Sequence, residues 1–70
     1  ALRQAQAAVA DRQETLAQAS REYKRNRGLG NLVPSEQLEE SQSRVARAQS
    51  ALAEAQALAV EEMTTAGYIK

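Results

Sequence analysis

Cysteine and histidine are both missing from this 70-residue chain. Their absence removes disulfides, thiolate chemistry, the commonest metal ligands, and the Ser-His and Cys-His nucleophilic pairs. It leaves the compartment open. Phenylalanine and tryptophan are missing too, and the only aromatics are Tyr23 and Tyr68. Alanine supplies 15 of the 70 residues, and it buries so little surface that a compact globular core is excluded. No charge dominates: nine basic and nine acidic side chains give a formal net charge of zero. Nucleic-acid binding, which usually shows a basic excess, starts at a disadvantage. Apolar runs such as Ala57 to Val60 fall far short of the ~20 residues a membrane-spanning helix needs. Proline occurs once and glycine three times, and two of those glycines fall with the proline inside one stretch, residues 21–40.

What is present is Ala, Gln, Glu, Arg and Leu, the composition of long helices and coiled coils. Leu2, Val9, Leu16 and Tyr23 recur every seven residues, with Ala5, Arg12, Ala19 and Asn26 three places after each. Further on, Leu38, Val45, Leu52 and Ala59 alternate with Ser41, Ala48, Ala55 and Glu62 in the same way. Three-four spacing of this kind is a heptad seam. A strand is excluded, because no window alternates with period two. The pattern predicts an all-α fold, a two-helix antiparallel coiled-coil hairpin. Its parts are helix one over 1–27, a tip loop over 28–34, helix two over 35–66 and the start of a return strand over 67–70. If the chain folds back, Tyr23–Leu38, Leu16–Val45, Val9–Leu52 and Leu2–Ala59 all have residue numbers totalling 61, which predicts that these positions oppose each other. The long stems of Arg12 and Glu62 are expected to carry their charges out of the seam to water. Leu58, Val60 and Met63 lie off the seam and are candidates for a lateral surface. Opening in mid-pattern on Ala1, the chain is expected to be a piece of a larger protein.

The turn reads RNRGLGNLVPSEQLEE. Arg21, Lys24, Arg25 and Arg27 suit the negative end of helix one, and Glu36, Glu39 and Glu40 the positive end of helix two. The two clusters are expected to pair across the hairpin. Gly28 or Gly30 can adopt the left-handed conformation that closes a helix, and Pro34 fits a helix start. These devices account for the charges, the glycines and the proline. They do not account for Leu29, Leu32 and Val33, which a slender hairpin cannot bury at its own tip; exposed loop apolars flanked by charge point to a contact surface. Catalysis, cofactors and metals are not expected. The paired glutamates have no pocket to raise a carboxylate pKa, and the Gly-Leu-Gly run follows a helix and lacks a Gly-Lys-Ser/Thr, so it is no phosphate loop.

With these features in place, the sequence resembles the hairpin of HlyD-type periplasmic adaptors, also called membrane fusion proteins. In that family an Arg, a Leu four residues on, a glycine-containing turn and a small or hydroxyl residue precede an ELD-like helix start. Here Arg25 and Leu29 have that spacing, and Gln37-Leu38-Glu39-Glu40 opens helix two. Ser35 stands one place after the family's serine position, which Pro34 occupies. The ending TTAGYIK is similar to the family's return into a lipoyl-like domain. The resemblance implies a periplasmic conduit element with no catalytic role, closer to adaptors of ABC-type exporters. It would link an inner-membrane transporter to a TolC-type outer-membrane duct, as one hairpin of a homo-oligomeric ring. The implied contact residues are Arg25, Leu29, Leu32, Val33 and Ser35. Two other readings remain open: a generic structural stalk, and a tRNA-binding helical arm supported by Arg21, Lys24, Arg25 and Arg27.

Overall fold

A computed structural model describes residues 2–69. Helix α1 spans Leu2–Leu29, a single 3-10 turn covers Gly30–Leu32, and helix α2 spans Ser35–Ile69. The helices pack side by side as an all-α antiparallel hairpin, a rod of 58 × 13 × 12 Å. No non-glycine residue has positive φ and no peptide bond is cis among the described residues. Residues with strong helix propensity run without interruption to Gly28. Each backbone amide is therefore satisfied within its own helix, and packing has only to hold two finished rods together.

The seam lies where the heptads place it. Leu2, Ala5, Val9, Leu16, Ala19 and Tyr23 are half-buried on α1, and Asn26 is buried. On α2, Ser41, Ala48 and Ala55 are buried, with Leu38, Val45, Leu52, Ala59 and Glu62 half-buried between them. Arg12 leaves the seam, remaining exposed and paired with Asp11. The most enclosed positions are thus small ones. Among the described residues no large side chain is fully buried, as a two-helix object dictates.

Three boundaries differ from the sequence-based expectation. First, α1 continues through Gly28 and ends at Leu29 rather than at residue 27. A helical glycine costs only ~1 kcal/mol relative to alanine, so Gly28 does not stop the helix. Gly30 does: its φ of 56° lies in the left-handed region that an L side chain avoids. Second, the loop is largely ordered into the 3-10 turn, closed by the Val33 N–H donating to the Gly30 carbonyl at 3.2 Å. Third, α2 runs past Gly67 to Ile69, so residues 67–69 are helical and do not begin a strand; Lys70 lies outside the described residues. A strand needs a neighbouring strand to satisfy its backbone, whereas a helix continues on its own hydrogen bonds.

The longer α1 also moves the register. Glu22 and Arg44 form a cross-helix ion pair, and their numbers total 66. Ala5 shares one groove with Ala55 and Leu58, and Val9 shares another with Gln56 and Ala59. These partners centre on a total near 64, matching the midpoint of a turn flanked by Leu29 and Ser35. The expected total of 61, with large opposite large, is therefore corrected. Tyr23 stands level with Ser41, Leu16 with Ala48 and Val9 with Ala55. Reversing one helix sets the first seam position against the second, so each large residue meets a small one, and that is why the small ones are the most enclosed.

Candidate docking tip

The tip is built by three successive devices. The last turn of α1 carries Arg25 and Leu29, four residues apart and so on one helix face; both are exposed. The 3-10 turn then holds Leu32 outward at 83% exposure, the highest of any large apolar residue described. Val33 follows in extended conformation, φ −114° and ψ 131°, the geometry a residue before proline is pushed toward. It is half-buried. The Pro34 carbonyl accepts from the amides of Gln37 at 3.0 Å and Leu38 at 3.2 Å, making Pro34 the cap of α2 and Ser35 its exposed first residue. Proline suits that place because it has no N–H to leave unpaired.

The five sequence-predicted tip residues are therefore adjacent at one end of the rod, though not equivalent. Arg25, Leu29, Leu32 and Ser35 are exposed, while Val33 is partly taken up by the hairpin. Neither Gly28 nor Gly30 has a heavy atom within 4 Å of an added Cβ, so the space around the turn is open.

The expected pairing of tip charges takes another form. Among the described residues, Lys24, Arg25 and Arg27 enter no ion pair, nor do Glu36 and Glu39. Arg44 of α2 instead bridges Glu22 at 2.7 Å and Glu40 at 2.9 Å, while Arg21 lies 3.6 Å from Glu14 on its own helix. Exposed pairs gain too little, ~0.2–1 kcal/mol, to order long side chains against water. The tip consequently has a basic side on α1 and an acidic side on α2.

Two residues near the tip were placed on the seam by their spacing but given no role. Asn26 is 6% exposed, and its Nδ2 has no hydrogen-bond partner. Ser41 is 2% exposed and donates its hydroxyl to the Leu38 carbonyl at 2.8 Å. The available signal was a polar residue at a heptad position, which only a definite register turns into a buried one. Leu58, Val60 and Met63 are exposed as expected but do not form one surface. Leu58 lines a groove with Ala5 and Ala8, whereas Val60 and Met63 line a separate groove with Gln6 and Val9. No described helix is long and apolar enough to cross a membrane. No protein-family model, curated protein or solved structure matches the chain.

Proposed function

We propose that this chain is the docking hairpin of a HlyD-type periplasmic adaptor, an interaction and conduit element that converts no substrate. In this reading the tip meets a TolC-type outer-membrane duct, and other parts of the adaptor engage an inner-membrane exporter, most plausibly of the ABC class. The hairpin works in the periplasm as one member of a homo-oligomeric ring. The observation that carries the reading is the presentation of Leu29 and Leu32 beside Arg25 at the end of a rod that leaves them uncovered. Apolar side chains held outward by a capped turn, on a tip basic on one side and acidic on the other, are suited to an end-on partner. The grooves at Leu58 and at Val60–Met63 lie on two flanks of the stem and would serve lateral packing.

The test is export by the adaptor carrying Leu29→Ser or Arg25→Asp, with the duct co-purified on the adaptor. Loss of both export and duct capture, with helicity retained, supports the tip contact. Normal export from both variants removes it and leaves the stalk reading. The unpaired Lys24, Arg25 and Arg27 favour one further reading, a tRNA-binding arm. Titration with tRNA at low salt decides that case, since electrostatic binding must appear there and fade as salt rises.

A further inference from the structure

The apolar seam satisfies more than one alignment of the two helices. In the observed register Tyr23 is level with Ser41, Leu16 with Ala48 and Val9 with Ala55. A slip of one heptad in one direction sets Leu16 against Ser41, Val9 against Ala48 and Leu2 against Ala55. The opposite slip sets Tyr23 against Ala48 and Leu16 against Ala55. Every one of these layers still matches a large residue with a small one, so side-chain volume does not distinguish them. The turn is permissive as well. Gly28 and Gly30 both stand in open space, and Pro34 is tolerated anywhere in a first helical turn.

We infer that polar residues, rather than the seam, select the register. Two features exist only in the observed alignment. One is the bridge from Arg44 to Glu22 on the other helix and Glu40 on its own. A slip that shortens the hairpin carries Arg44 a full heptad from Glu22, level with Thr15. The other is the pair of polar seam positions, Asn26 and Ser41, that are buried at the same end of the rod. A slip that lengthens the hairpin separates them and sets Asn26 against Val45. A buried amide there loses its only polar neighbourhood, at a cost of the full desolvation of the group. A lone polar residue in a heptad seam is known to fix alignment at some expense of stability. Asn26, with its unpaired Nδ2, has that signature. The bridge therefore opposes one slip and the Asn26–Ser41 layer the other. Neither statement depends on what docks at the tip.

Disulfide formation under mild oxidation in the full chain tests the inference. Ala8→Cys with Leu58→Cys reports the observed register, since both residues line one groove. Ala8→Cys with Ala51→Cys reports the shortened register, and Thr15→Cys with Leu58→Cys the lengthened one. A seven-residue offset is ~10 Å along a helix, beyond the reach of a disulfide, so each pair is specific. Without further changes, the first pair should dominate. Adding Glu22→Gln and Arg44→Gln should raise the shortened-register product about two- to fivefold. Asn26→Leu should raise helicity and thermal midpoint while increasing the lengthened-register product about fivefold or more. Unchanged product ratios in both variants, or a lower thermal midpoint for Asn26→Leu, would overturn the inference.

Discussion

The stem and the tip of this hairpin treat their apolar residues in opposite ways. Along the stem, Leu16, Val45 and Leu52 are half-buried against alanines that are more enclosed than they are. At the tip, Leu29 is 46% and Leu32 83% exposed. The stem uses small residues to bring two rods together and so gains cohesion from modest area. The tip spends apolar surface on solvent, held there by Gly30 on one side and Pro34 on the other. The difference separates folding from recognition: residues of the same chemical type stabilise the fold in one region and are free of that duty in the other.

Substitution at matched leucines probes this contrast most severely. Leu16→Asp should cost about 2–4 kcal/mol, most of the stability available to so small a domain, and abolish cooperative melting followed by circular dichroism. Leu32→Ser should change stability by less than about 0.5 kcal/mol in the same measurement. Comparable losses from the two would erase the distinction. The two turn glycines sharpen it further. Gly30→Ala forces an L side chain into the left-handed region and should lower stability by about 1 kcal/mol, whereas Gly28→Ala should raise it by about 0.5–1 kcal/mol. Chemical denaturation of the pair measures both signs. The smallest effect belongs to Glu22 and Arg44: a double-mutant cycle should give about 0.2–1 kcal/mol of coupling at low salt, fading as ionic strength increases.

Much of the architecture was legible in the spacing of Leu, Val and Ala, because a seven-residue period leaves a helix pair few alternatives. Exposure of Leu29 and Leu32 was legible for a similar reason, since a two-helix rod has nothing with which to cover its end. The alignment of the helices was less so. It depended on whether Gly28 or Gly30 ended α1, a difference of two residues that both glycines permit, and with it changed which side chains face each other. The pairing of tip charges was misread because opposite charges near each other in a hairpin gain little when both are solvated. The helical course of residues 67–69 went unread because an Ile-Lys ending resembles a strand only where a sheet exists to receive it. Asn26 showed its character only through burial, which no single position in the sequence announces.

The slender cross-section has a consequence for any binding at the tip. A rod end of 13 × 12 Å offers a footprint of about 160 Å², far below the ~800 Å² per partner of a stable protein interface. One tip can therefore supply only a weak, rapidly released contact, however well Leu29 and Leu32 fit their pocket. Tight engagement would require several rods presented together, so that each contact raises the local concentration of the next. Strength would then be set by how many copies are held in step, and a single altered tip among many would weaken the assembly by degrees.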